Sequence, residues 1–307
     1  MNVLATILPV VFMLGLGKYL AVKKLLSREA MDGIKALISQ LMLPVVIFHA
    51  LITTTFTRKS ILLSLLVYAM FTVVLLLGIF RKKRFGRYGM GSFLLAGCEG
   101  GMLGYPLYIT LYGAAKLSVL MALDLGNILF AFTFFIVLIN VANHPDADRK
   151  KVALQAVTSP LVLIVAVGIL LNVTGLSRFL TDSAITPVYT GIESVITAPL
   201  TALVLLSVGY DLNFRREIMG AVLKVSAVRF ALMATGALLL LTAGRSLIDS
   251  QPLYVGVLLY FALPPQFITP IFVREDENRA YVSTMLSFYS LITVAAYILI
   301  TILVPLQ

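Results

Sequence analysis

Apolar runs of about twenty residues recur along this chain from one end to the other, and each is long enough to cross a hydrocarbon core of ~30 Å as an α-helix. The chain has 307 residues, of which 60% are hydrophobic and 12% are charged. A soluble domain could not bury this much apolar surface. We therefore expect an all-α polytopic membrane protein.

The apolar runs predict ten membrane spans joined by short loops. The predicted spans are 2–22, 33–52, 61–80, 90–112, 117–142, 156–173, 186–209, 219–243, 253–272 and 281–304. The loops that follow odd-numbered spans carry 15 Lys and Arg residues, whereas the loops on the other side carry 5. The positive-inside rule then predicts that the first set is cytoplasmic and that both termini face outward. We expect the cell inner (plasma) membrane.

Ten spans divided five and five give halves of opposite orientation, 1–155 and 156–307, joined by the polar connection 143–155. This inverted repeat is typical of secondary transporters. Pro44 in span two is matched by Pro199 in span seven, and the two interrupted spans are the fourth of each half. These matched positions favour a 5+5 inverted repeat.

Spans four and nine are both interrupted near their middle, at 97–106 (GCEGGMLGYP) and at 263–266 (LPPQ). Proline lacks an N–H group and clashes with the preceding turn, and glycine adds backbone freedom. Pro106 and Pro265 suit the first position of a following half-helix. The N-terminus of such a half-helix favours an anion, whereas the carbonyls that the prolines leave without a donor, before the break, favour a cation. We expect the broken helices to cross at the midplane and form the substrate site. The residues expected to supply its backbone groups are Gly100, Gly101, Gly104, Pro106, Pro264 and Pro265.

Polar side chains from other spans reach the same depth, roughly 10–15 Å from a membrane surface at ~1.5 Å per residue. Glu99 lies in the first interruption, and Gln266 lies in the second. Asp124 and Asn127, spaced i and i+3, share one face of span five, and Arg229 lies in span eight. Ionisable groups inside a membrane are functional candidates by default. We expect these five residues to bind substrate or couple its movement, although Arg229 could instead be a buried ion-pair partner of Asp124 or Glu99.

Other functional classes find little support in the composition. The net charge of +10 lies mostly in loops, which argues against nucleic acid, and the single cysteine excludes an internal disulfide. No nucleotide loop, metal-ligand cluster or nucleophile beside a base is present in the sequence. We expect no enzymatic activity, no cofactor and no metal.

Several of these motifs resemble the auxin efflux carrier family, a group of ten-span transporters with bacterial and plant members. The sequence GMLGYPL at 101–107 resembles the family's Gly-rich crossover, DLGN at 124–127 its Asp-x-Gly-Asn element, and ALPP at 262–265 its second crossover. The segment 274–280, with Ser283, Thr284 and Ser287, is similar to the loop and span ten.

The resemblance implies a fold shared with bile-acid sodium symporters. Spans 1, 2, 6 and 7 would form a scaffold, often the surface of a homodimer, and spans 3–5 and 8–10 a mobile core that carries substrate by an elevator motion. Members of the family move small organic anions, and some are proton-linked or act as uniporters.

The chain departs from the family at Glu99, where members usually have asparagine, and the neighbourhood of Gln266 and Thr269-Pro270 also differs. An ionised Glu99 would repel a carboxylate and favour a cation, whereas a neutral Glu99 could titrate during transport. Our expectation is a secondary transporter of a small organic anion (carboxylate), proton-linked through Glu99. The alternatives are a cationic or amine substrate with Glu99 as its counter-charge, or a ligand sensor on the same fold that does not transport.

Overall fold

The computed structural model describes residues 3–81, 89–143, 151, 154, 158, 160–273 and 276–304. These residues form helices and connecting turns, with no strand among them, and the chain is an all-α membrane protein. Seven of the described helical stretches are long and apolar enough to cross a membrane: Leu4–Val22, Arg28–Thr53, Arg58–Phe80, Ala114–Ala142, Thr186–Asp211, Arg216–Thr242 and Glu277–Leu303. They coincide with predicted spans one, two, three, five, seven, eight and ten.

The other three predicted spans are shorter or irregular. Span six contains the apolar helix Val162–Val173, and span nine contains Gln251–Phe261. Span four has only an eight-residue α-helix, Tyr105–Tyr112, after its interruption. The ten-span count therefore stays a prediction.

The α-helices are α1 Val3–Val22, α2 Arg28–Leu37, α3 Leu43–Thr53, α4 Arg58–Phe80, α5 Tyr105–Tyr112, α6 Leu117–Phe130, α7 Ile136–Asn143, α8 Pro160–Val173, α9 Arg178–Thr181, α10 Thr186–Thr197, α11 Leu200–Asp211, α12 Met219–Thr242, α13 Gln251–Phe261 and α14 Asp276–Leu303. Three π-helical turns, Ile38–Met42, Gly100–Gly104 and Ala131–Phe135, join α2 to α3, lead into α5, and join α6 to α7.

Local sequence sets several helix ends. Thr57 caps α4 in a capping box with Ser60, and Ser250 caps α13 by accepting from the Leu253 N–H. Gly113, with φ +79°, ends α5 because only a residue without a Cβ adopts this conformation at low cost. The last two signals set the outer ends of α5 and α13, the short helices that flank the two interruptions.

Helices α1 and α11 pack so closely that their main chains are in contact. A Cβ at Gly17 would overlap the carbonyl oxygen of Leu206, and a Cβ at Gly209 would overlap the carbonyl oxygen of Leu14. Each helix thus contributes a glycine to a contact with the other's main chain. Small residues at such crossings let membrane helices approach closely.

Two further helix pairs pack closely at a glycine. Helix α3 packs against α8, where a Cβ at Gly168 would lie 3.1 Å from the Cβ of Leu51. Helix α4 packs against α6, where a Cβ at Gly126 would overlap the carbonyl oxygen of Ser64. The Ser64 hydroxyl also donates to the Ala122 carbonyl at 2.8 Å, which ties α4 to α6.

Some predictions fall on residues outside the described part of the chain. They concern 82–87 in the basic loop after span three, most of the connection 143–155 between the predicted halves, and Arg274.

One prediction about span nine is wrong. Pro265 does not begin a half-helix, because the chain continues through turns to the four-residue 3-10 helix Thr269–Phe272. Three prolines, Pro264, Pro265 and Pro270, lack the N–H donors that a longer helix needs.

Candidate functional site

The two interruptions contact each other directly. We call residues 93–99 the first break and 262–268 the second break, since neither has helical structure. The backbone N–H of Glu99 donates to the Pro264 carbonyl at 2.9 Å. Helices α5 and α13 extend from this contact to the same side, because the Tyr108 hydroxyl reaches the Pro252 carbonyl at the far end of α13. The short, irregular arms of both spans therefore lie together on the opposite side.

The Glu99 carboxylate joins the two breaks a second time. Its Oε1 accepts the Met102 N–H at 3.0 Å, which caps the helical stretch that begins at Gly100. Its Oε2 accepts the Phe267 N–H at 2.6 Å, from the second break. Both oxygens of this partly exposed side chain are thus bound by backbone donors from different spans.

Asp124 of α6 is buried within a ring of hydrogen-bond donors. It accepts the hydroxyls of Tyr105 and of Tyr260, the latter at 2.6 Å, and the Asn127 amide at 3.1 Å. Gly100 makes room for it, since a Cβ there would lie 2.6 Å from the Asp124 carboxyl carbon. Burial of a carboxylate is tolerated only with partners of this kind.

Asn127 holds the first break in place. Its Oδ1 accepts the Cys98 N–H at 3.1 Å, and its Nδ2 donates to the Cys98 carbonyl at 2.9 Å. The Gln266 amide also donates to Asn127 at 3.3 Å, so the same side chain contacts both breaks. The other end of the Gln266 amide, Oε1, is buried and has no hydrogen-bond partner among the described residues.

Arg229 of α12 binds backbone carbonyls rather than a carboxylate. Its guanidinium donates to Leu94, Leu95 and Gly97 in the first break at 3.2, 3.0 and 2.7 Å, and to Leu263 in the second at 3.0 Å. It is 0% exposed and lies 5.0 Å from the centre of the Tyr289 ring. The ion pair with Asp124 or Glu99, considered from the sequence, is not formed. Carbonyls within the breaks thus bind a cation that the protein itself supplies.

Glycines allow the breaks to pack closely. Gly97 has φ +74°, and a Cβ there would lie 2.6 Å from the Gln266 amide nitrogen. A Cβ at Gly104 would lie 2.7 Å from a methyl group of Leu263. A Cβ at Gly101 would make only ordinary contact with Leu43, so this glycine is not needed for close packing. It belongs to the site because it lines the cavity.

A cavity of about 1050 Å³ reaches these groups from a charged mouth. Its deep end is lined by Glu99, Gly100, Gly101, Asp124, Asn127 and Gln266. Five of the eleven predicted site residues lie outside its wall: Gly104, Pro106, Arg229, Pro264 and Pro265. Pro264 and Pro265 belong to the second break, Arg229 binds carbonyls of both breaks, Gly104 packs against Leu263, and Pro106 lies in the first turn of α5.

The mouth of the cavity carries ion pairs between α2 and α11 and a lysine from α1. Asp211, at the end of α11, binds Arg28 at 2.8 Å and also pairs with Lys35, both from α2. Lys18 of α1 donates to the Leu212 carbonyl at 2.5 Å. These side chains are partly exposed to solvent, so their ion pairs contribute little to stability.

Three contributors to the site were missed from the sequence. Tyr105 and Tyr260 bind Asp124, and Phe267 binds Glu99 through its backbone. The two tyrosines could have been found from the sequence, because a tyrosine in the middle of a span needs a polar partner for its buried hydroxyl. A backbone donor such as that of Phe267 leaves no such signal in the sequence.

The described residues hold no group of three or more His, Cys, Asp or Glu side chains suited to a metal ion. No family model matches the chain, and no curated protein is significantly similar to it in sequence.

Proposed function

We propose that this protein is a secondary transporter of the kind that the auxin efflux carrier family represents, moving a small organic anion across the inner membrane. The main observation in favour is that a large cavity runs from a charged mouth to the contact between two interrupted spans. Irregular backbone inside a membrane is tolerated where it lines such a cavity, and transporter sites are built from discontinuous spans.

The proposed architecture is ten spans in a 5+5 inverted repeat, with both termini outside. Its support is a pattern of packing. Span one packs along span seven as α1 on α11, and span six packs along span two as α8 on α3. In a 5+5 repeat, span one corresponds to span six and span two to span seven. The contact of span one with span seven therefore corresponds to the contact of span six with span two, as an inverted repeat requires.

The proposed motion is an elevator in which spans 3–5 and 8–10 move against spans 1, 2, 6 and 7. The cavity favours this division, because Lys18, Lys35 and Asp211 line it from the proposed scaffold, whereas Glu99 and Asp124 line it from the proposed core. The scaffold spans would also carry a homodimer contact.

Glu99 is the proposed proton-coupling group. It is the partly exposed carboxylate at the deep end of the cavity, whereas Asp124 is only 2% exposed and bound by three donors. A proton taken up by Glu99 would remove the negative charge that repels an anionic substrate. Substrate anion and proton would then travel together.

Charge movement on proteoliposomes tests this proposal. Solid-supported membrane currents are measured for a panel of carboxylates and amines, with and without a pH gradient. A monocarboxylate that travels with one proton moves no net charge, so its transport is followed by substrate counterflow, while currents report substrates that carry net charge. We expect carboxylate transport, in one readout or the other, to depend on pH, and Glu99→Gln to abolish that dependence. Glu193→Gln is the matched control, because Glu193 also lies in a span but outside the cavity wall. An unchanged pH profile in Glu99→Gln would refute the proton link.

A cationic or amine substrate is the second candidate. The observation that favours it is that Glu99 and Asp124 line the deep end of the cavity, and Glu99 is partly exposed there, while Arg229 is fully buried and absent from the cavity wall. Currents for amines that disappear in Glu99→Gln would favour this candidate over an anion. Absence of both currents and substrate counterflow would refute transport and leave a ligand sensor.

A further inference from the structure

We propose that the Glu99 carboxylate occupies the position that the substrate's own carboxylate takes, and that the substrate is a small carboxylate with a hydrogen-bond donor on the neighbouring carbon. We call this position, formed by the N–H groups of Met102 and Phe267, the carboxylate site. The inference rests on the proposed function for the identity of the cavity as the substrate path.

The geometry of the carboxylate site fits a carboxylate from any source. The Met102 N–H lies 3.0 Å from one Glu99 oxygen, and the Phe267 N–H, from the other span, lies 2.6 Å from the second oxygen. Together they bind both oxygens of one carboxylate. Backbone donors at a break recognise the charge and shape of an anion rather than its chain. Glu99 therefore fills the site as a tethered ligand.

The unpartnered oxygen of Gln266 indicates what the substrate brings besides its carboxylate. This Oε1 is buried, has no partner among the described residues, and belongs to the residue next to Phe267 in the cavity wall. Gln266 itself is only 5% exposed. Because a buried acceptor without a donor is costly, a hydroxyl or ammonium group on the carbon beside the substrate carboxylate would satisfy it.

A tethered carboxylate competes with free ligand at an effective concentration of about millimolar or more. The wild-type site is therefore closed to external carboxylates until Glu99 leaves it. Removing the Glu99 carboxylate empties the site without removing its donors, since both donors are backbone groups. External carboxylate should then bind about 10-fold or more tightly than to wild type.

The test measures binding without requiring transport. Purified Glu99→Ala, wild type and Glu193→Ala are heated with acetate, glycolate, methylammonium or chloride at equal ionic strength, and the folded fraction is followed by size-exclusion chromatography. We expect ~100 mM acetate to raise the midpoint of Glu99→Ala by about 2 °C or more, with no rise in the other two proteins. Glycolate should bind Glu99→Ala about 2- to 10-fold more tightly than acetate, because the inference assigns its hydroxyl to the unpartnered oxygen of Gln266.

Glu99→Ser is the second variant, because serine can still cap the Met102 N–H while leaving space beside Phe267. Equal responses to acetate and chloride would overturn the inference, as would an equal response in Glu193→Ala. Equal binding of acetate and glycolate would overturn the assigned substrate class. Failure to recover either Glu99 variant even with acetate present would also count against the inference, since an occupied site should restore the lost contacts. A response in Glu99→Ala, together with neither current nor substrate counterflow in the wild type, would refute the proposed function alone.

Discussion

Replacing Arg229 by methionine should destabilise the protein strongly. The guanidinium is the group that four backbone carbonyls of the two breaks share, at 2.7 to 3.2 Å, and it is 0% exposed. Methionine fills a similar volume but donates no hydrogen bond. The four carbonyls would then face one another with neither a donor nor water.

The magnitude follows from the carbonyls left behind. Each unpaired buried acceptor costs about 1–3 kcal/mol, although costs within one network do not add. Loss of the buried charge also removes its own desolvation cost, so we place the total at the ~3–5 kcal/mol typical of a broken buried charge contact. At about 2–4 °C per kcal/mol, the thermal midpoint should fall by roughly 6–20 °C. Arg229→Lys should lose about half as much, since an ammonium keeps the charge but has fewer donors.

Cys98 provides the assay, because it is the single cysteine of the chain and is 1% exposed in the first break. A thiol-reactive dye that fluoresces on coupling reports when heat exposes this side chain. Arg229 lies 3.5 Å from the Cys98 sulfur, so size-exclusion chromatography after heating must give the same ranking of variants. Arg245→Met is the matched control, since Arg245 is exposed just after the same helix. The reasoning is refuted if Arg229→Met and Arg245→Met unfold within about 2 °C of each other.

Two further predictions use the same assay. Gly126→Ala should lower the free energy of unfolding by about 1–3 kcal/mol, because its Cβ would overlap a backbone carbonyl of α4 that cannot move aside. Gly15→Ala is the control and should be neutral, because no atom lies within 4 Å of its Cβ; equal thermal midpoints for the two variants would contradict this packing. Tyr260→Phe removes the hydroxyl donor at 2.6 Å from Asp124 and should lower the free energy of unfolding by about 1.5–3 kcal/mol. Tyr254→Phe, on the exposed side of the same helix, should change it very little; a loss for Tyr260→Phe below about 1.5 kcal/mol would contradict the role of its hydroxyl.

The features that depend on local backbone chemistry could be predicted from the sequence. Glycine and proline placed both interruptions, and the i, i+3 spacing placed Asp124 and Asn127 on one buried face of α6. The irregular second arm of span nine was also readable, because Pro270 follows Pro264 and Pro265 so closely that a long helix could not form.

The partners of the charged groups could not be predicted in the same way. Reasoning from side-chain types pairs Arg229 with a carboxylate, yet every residue carries a carbonyl, and no pattern marks which ones a fold leaves free. The same limit applies to Glu99, whose partners are two backbone N–H groups. Carbonyls of the two breaks bind the Arg229 cation, and the N–H groups of Met102 and Phe267 bind the Glu99 anion. Only the fold shows where these two charges come from.

The reciprocal glycines of α1 and α11 have a consequence for spectroscopy. Because Gly17 and Gly209 bring main chain against main chain, the separation of these helices is set by backbone atoms and not by the rotamers of side chains. Probes attached to the outer faces of α1 and α11 would therefore report a constant distance under any ligand condition. That constant distance can serve as an internal reference when a change in the width of the cavity is measured.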